Sequence, residues 1–362
     1  MKNCYTGKKY TRPDQYFSEI VRTAYDTEQS DVTETLWMFF LEAVLGEIGE
    51  QKNIFNGRIG TEDGEWPLEA GRYRLLWMPA CPHAHKSVLT WKLLGLDQVI
   101  SLGTTRIYRD PKGWVFSEDP QEKNPVLQVH FLKEIYDRSV PGGDYQGRPT
   151  VPTLADTVTG KGVNNDYKRL PKILTEDFKS FQKKDAPQLY LPGREKEIDE
   201  FCLYIVKNVT EGVYGMGFAR SQKAYEEAYD KFFSVMDELD KRLEDRRFLF
   251  GDYITLADIH LYPTLARFDF AYHQVFRANR NRLTEFKNLW PYARDIYQIP
   301  EVKEYTYFDI YKKHYQTSPH LKPLWGNVHS LVAKGPNPSG WEIPADREYL
   351  SKDPENKLLK QQ

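Results

Sequence analysis

Leu75-Leu76-Trp77-Met78-Pro79-Ala80-Cys81-Pro82-His83-Ala84-His85-Lys86 is the segment whose reading decides the fold. Its first half is an unbroken apolar run, the pattern of a buried strand. Pro82 suits the first position of a helix, where its missing N–H needs no partner. Cys81 therefore falls at a strand-to-helix junction, facing the positive end of a helix dipole. Such a place lowers a cysteine pKa and favours the nucleophilic thiolate. No second cysteine follows at CxxC spacing, and Ala84 stands three residues on. Redox or sulfur-transfer chemistry at Cys81 then needs an outside thiol to complete it. The plain alternative is a buried structural cysteine.

The flanking pattern extends this junction into a layer. Strands are expected at Tyr73–Met78 and Val99–Thr104, helices at Pro82–Leu94 and Val126–Asp137, with Gly113-Trp114-Val115-Phe116 on a loop between. A further strand is entered through proline in Arg148-Pro149-Thr150-Val151-Pro152-Thr153-Leu154. Alternating strands and helices, with a nucleophile after the first strand, suit a thioredoxin-like α/β domain over residues 63–178. The pattern then turns helical. Ile198, Phe201, Cys202 and Ile205 share one face, as do Tyr225, Tyr229, Phe232, Phe233 and Met236. Cys202 reads as core. An all-helical domain is expected over 179–325, joined through a linker at Ala186–Arg194. Residues 1–62 read as an extension with an apolar helical patch at 35–45, and 326–362 as a tail that wraps the surface or frays.

Composition narrows the function classes. The 362 residues carry 50 basic and 52 acidic side chains, so nothing points to nucleic acid or an acidic membrane surface. Three cysteines, Cys4, Cys81 and Cys202, are too few for a disulfide framework and fit a reducing cytoplasm. The N-terminus lacks the apolar core of a signal peptide, and no window reaches membrane-span length. Aromatics at 14% can fill a core or line a site for flat organic ligands. Cys81 and His85 share a helix face, but no second ligand cluster completes a metal site.

Thr255-Leu256-Ala257-Asp258, before an apolar helical run, is a capping box. In the context Phe248-Leu249-Phe250-Gly251-Asp252-Tyr253-Ile254 it is similar to the buried helix start in the C-terminal domain of glutathione transferases. Glu65-Trp66-Pro67, Cys81-Pro82-His83-Ala84-His85-Lys86, Gly113-Trp114, Gly147-Arg148-Pro149-Thr150-Val151-Pro152 and Asn165-Asp166-Tyr167 follow in order. Together, over about residues 60–330, they resemble the Xi-class glutathione transferases, the glutathionyl-hydroquinone reductases. The resemblance implies a thioredoxin-like domain followed by an all-helical one, a homodimer, glutathione or another small thiol as co-substrate, and an aromatic hydroquinone conjugate as substrate. It implies Cys81 as nucleophile, Tyr214 as proton donor, and Tyr272 and Tyr315 as phenols that stabilise the thiolate. It also implies a glutathione site of Trp114, Arg148, Thr150, Val151, Asp166 and Tyr167, with a cis Val151–Pro152 bond and no metal. The family patterns are Cys-Pro-Trp-Ala-His-Arg and Asn-Glu-Ser, so His83, Lys86, Asp166 and Tyr167 depart from them. Asp166 is one methylene shorter than Glu, and the Tyr167 hydroxyl lies a ring away from a serine's. Both changes predict weakened glutathione binding or a different thiol. A conjugating transferase and a non-catalytic binding protein on the same fold remain the alternatives.

Overall fold

The apolar run before Cys81 forms strand β1, Tyr73–Trp77, and Pro82 opens helix α1, Pro82–Leu93, in a computed structural model. The structure describes residues 53–110, 113–117, 123–318, 321 and 331–360. The apolar patch at 35–45 and Cys4 lie outside the described residues. Strands β2 (Ile100–Thr104), β3 (Thr153–Asp156) and β4 (Gly162–Asn164) complete a four-stranded sheet in the order β2-β1-β3-β4. β1 pairs parallel with β2, placing Leu75 opposite Leu102, and antiparallel with β3, placing Leu75 opposite Leu154. The parallel pair encloses α1 as its crossover, and the β3–β4 hairpin closes the sheet.

Helix α2 is shorter than its sequence pattern predicts, running Leu132–Ser139 rather than starting at Val126. The Asn124 side-chain oxygen accepts the N–H groups of Val126 and Leu127, and Gln128 takes a positive φ of 54°. That Asx-type turn replaces the first helical turn.

The second half is helical. After α3 (Leu170–Glu176) come α4 (Glu195–Ile205) and α5 (Glu211–Gly217), joined without a break by a π turn at Val206–Thr210. Helices α6 (Gln222–Arg242) and α7 (Leu256–Arg267) follow, and a second π turn, Phe268–Tyr272, carries α7 onward. Helices α8 (Leu289–Tyr297) and α9 (Phe308–Thr317) complete the set used below. Helix α1 packs on the sheet and on both α3 and α7. This explains why it is buried nearly all round, from Ala84 to Thr90.

The capping box lies at the centre of the helical half. The fully buried Asp258 carboxylate accepts from the backbone N–H groups of Thr255 (2.8 Å) and Leu249 (2.9 Å), the Thr255 hydroxyl (2.9 Å) and the Tyr292 hydroxyl (2.7 Å). The capping box expected from the sequence is present, with Asp258 reaching back to the Thr255 backbone N–H and the Thr255 hydroxyl also donating to the carboxylate. The proposed linker is ordered: Leu189 accepts from Leu256 N–H, and Gln188 N–H donates to Leu359. The tail wraps the helical half, with Trp341 only 4% exposed against Trp290, Tyr297 and Phe308.

Candidate active site

Cys81 sits at the N-cap of α1 with extended backbone, and its carbonyl accepts from His85 N–H at 3.0 Å. Its thiol lies 3.7 Å from the carbonyl oxygen of Val151, which precedes a cis peptide bond to Pro152. Thus β1 delivers the thiol and the loop into β3 faces it. Tyr136 on α2 holds that loop. Its hydroxyl bonds the Thr150 carbonyl (2.9 Å), the Thr153 hydroxyl (3.1 Å) and the Asn165 side-chain amide (3.1 Å). One phenol thereby fixes the Thr150–Val151 loop to the loop that carries Asp166. Sequence reading missed Tyr136, which looks like an ordinary apolar-face residue.

The helix dipole does not decide the ionisation of Cys81. Burial pushes its thiol above the ordinary value, outweighing the downward pull of the Ala84 and His83 N–H groups, Arg267 and Lys86. The expected lowered pKa is therefore reversed, because desolvation of the thiolate exceeds the dipole and the nearby cations together. Cys202, on the inner face of α4, is 4% exposed and also pushed up by burial. Both described cysteines are free.

Three tyrosines far apart in the chain meet. Tyr315 on α9 bonds the hydroxyls of Tyr214 (2.5 Å) and Tyr272 (3.2 Å), making one phenol chain. Tyr214 follows the first π turn and Tyr272 lies in the second, and such turns displace side chains from regular helical phase. Burial raises all three phenols well above their ordinary value, so they stay neutral near pH 7. The Tyr214 ring is 6.4 Å from His83, two residues beyond Cys81. Trp114 is buried with its ring 6.1 Å from His314, the neighbour of Tyr315. Arg148 is half-buried, three residues before Val151.

The four departures from the family pattern fall in two groups. His83, Lys86 and Tyr167 form one cluster. The Tyr167 ring meets His83 edge-on at 4.4 Å, lies 5.7 Å from the Lys86 ammonium, and its hydroxyl donates to Glu211 on α5 at 2.7 Å. Asp166 is engaged at the start of α3, accepting from Lys168 N–H at 3.0 Å. It lines a cavity of about 400 Å³ shared with Arg58, Lys172, Cys202 and His260. His85 does not support the thiol. Its Nδ1 accepts from Arg267 at 3.1 Å, which leaves Nε2 as its protonated nitrogen. Among the described residues no group of three or more His, Cys, Asp or Glu side chains is placed to hold a metal ion. No described helix is long and apolar enough to cross a membrane.

Comparison with known proteins follows the same outline. Residues 222–295 match the family described as glutathione S-transferase, C-terminal domain. The chain is 36% identical over 257 residues to the glutathionyl-hydroquinone reductase YqjG of Escherichia coli, covering 70% of this chain and 77% of that one. A Xi-class transferase structure from Natrialba magadii superposes with a TM-score of 0.76 at 35% identity, over 82% of this chain and 91% of that one. The glutathione-bound structure of YqjG superposes with a TM-score of 0.73 at 32% identity, over 81% and 96%.

Proposed function

The chain belongs to the glutathionyl-hydroquinone reductases, the Xi class of glutathione transferases, and is a glutathione-dependent reductase, and we propose that Cys81 is its nucleophile. The observation that carries this reading is the placement of Cys81. Its thiol faces the Val151 carbonyl at 3.7 Å, at the start of α1, and the Tyr214 ring of the phenol chain lies 6.4 Å from His83, two residues on. In the proposed reaction the Cys81 thiolate attacks the sulfur of a glutathionyl-hydroquinone. A sulfur–sulfur bond forms, and the carbon–sulfur bond breaks with its electron pair on the aryl carbon. Tyr214 supplies the proton that makes the free hydroquinone, and Tyr315 and Tyr272 share the resulting charge. A second thiolate then attacks the mixed disulfide, releasing oxidised glutathione and Cys81. The balance is one conjugate plus one thiol giving one hydroquinone plus one disulfide.

Val151 offers its backbone to a peptide-like thiol, with Thr150 held in place by Tyr136, and Trp114, Arg148, Asp166 and Tyr167 surround that thiol in this reading. Asp166 and Tyr167 already have partners in Lys168 and Glu211, which supports weak hold on glutathione itself. Cytoplasmic location and a homodimer belong to the same reading, the former supported by two free thiols. The test is product stoichiometry with substituted enzymes. Wild type should yield hydroquinone and disulfide in equal amounts, Cys81→Ser should lose turnover by several orders of magnitude, and Cys202→Ala should retain it. Turnover surviving in Cys81→Ser removes the nucleophile assignment. A folded wild type that binds conjugate without turning it over leaves a binding protein.

A further inference from the structure

Arg267 ends α7 with a guanidinium that is 0% exposed. It donates to the carbonyls of Ala80 (2.7 Å), Pro79 (2.8 Å) and Pro263 (2.7 Å) and to His85 Nδ1 (3.1 Å), and its plane lies 3.9 Å from the centre of the Tyr311 ring. All four hydrogen-bond acceptors are uncharged, and no carboxylate is among its partners in the described residues. A buried cation without an anion is costly, and a fold that only needed to tie two carbonyls has cheaper donors. Two of the three carbonyls it holds belong to the two residues immediately before Cys81, and the third is Pro263 on its own helix. The ionisable side chains that feel its charge include Cys81, Tyr272, Tyr311 and Tyr315, each of which can become an anion, together with the neutral rings of His83, His85 and His314.

We infer that Arg267 is a positioning residue for the thiol step: its fork fixes the Pro79-Ala80-Cys81 turn, and its charge is the built-in counter-ion of the Cys81 thiolate. The inference rests on the reading of Cys81 as nucleophile. Arginine suits both tasks, since it stays protonated when buried and presents several donors in one plane. It also links the halves, because a residue of α7 thereby sets the geometry of the β1–α1 junction. When the thiolate forms, the charge of Arg267 becomes paired, and it is unpaired again when Cys81 is held as a mixed disulfide. The Tyr311 face completes the cage.

The test reads the ionisation of Cys81, which a purely structural arginine leaves unmoved while the fold holds. Alkylation by iodoacetamide at about pH 8, mapped to Cys81 by mass spectrometry, reports the thiolate fraction, and a pKa higher by about one means a rate lower by about tenfold. Arg267→Gln is expected to slow labelling at least about tenfold relative to wild type, with equal labelling after denaturation. Arg267→Lys, which keeps a cation, is expected to stay within about threefold. A folded Arg267→Gln variant that labels faster than a tenth of the wild-type rate overturns the inference. If that variant does not fold, the lysine variant decides, and a loss greater than threefold overturns it. Wild-type enzyme that forms no mixed disulfide defeats the nucleophile reading instead, while leaving the alkylation comparison intact.

Discussion

Lys86 shows how far a single residue can go against the usual rules. It is 1% exposed, and its ammonium has no hydrogen-bond partner among the described residues. Burial pulls it down to about 8 from an ordinary 10.5, while Cys202, Cys81, Glu211 and Asp166 pull it back up. Between those values the unfolded chain binds more protons than the folded one, so the contribution of Lys86 to stability rises with pH across that window. Lys86→Met should remove that dependence. It should also raise unfolding free energy near pH 7 by about 1 kcal/mol, as replacement of a buried unpaired charge commonly does. Urea unfolding at pH 7 and pH 10 checks both, and a variant less stable than wild type at pH 7 refutes the argument. The same variant should label more slowly at Cys81, because one of its cations is gone.

At the scale of elements, the β1–α1 junction was legible because Pro82 and the preceding apolar run both carry local signals. The start of α2 was not, because Asn124 competes for the backbone that helical periodicity claims. Tyr214, Tyr272 and Tyr315 could be named only through family resemblance; their meeting depends on two π turns that leave no mark in the spacing. Arg267 hid for the opposite reason. A cation closing an apolar helix reads as an ordinary C-terminal charge facing solvent. The tail was expected to wrap or fray. It wraps, and its 3-10 turn at Pro338–Glu342 also buries Trp341 against α8 and α9. Trp341→Ala should therefore cost about 3–5 kcal/mol, the range for deleting a buried large aromatic. Equilibrium denaturation measures it, and a loss below about 1 kcal/mol means the tail only lies on the surface.

Across the whole molecule, buried neutral histidines make the fold acid-sensitive. Burial lowers His260 to about 3 and His314 to about 4, from an ordinary 6.5. Below 6.5 the unfolded chain takes up protons that the folded chain refuses, so stability falls as pH drops through that window. A tenfold difference in proton affinity between the two states is worth about 1.4 kcal/mol, so His314 alone represents on the order of 3 kcal/mol by about pH 4. Unfolding midpoints measured from about pH 7 to 4 should decline steeply, and a flat profile contradicts the burial of these rings. The functional claim is more specific than stability. In the proposed reaction one thiol, Cys81, carries the glutathionyl group between two half-reactions. The direct measurement is intact and peptide mass of the enzyme mixed with one equivalent of glutathionyl-hydroquinone and no free thiol. The account predicts free hydroquinone and a single glutathione adduct on Cys81, discharged when a second thiol is added. Hydroquinone released without an adduct on Cys81, or with the adduct on Cys202, contradicts it.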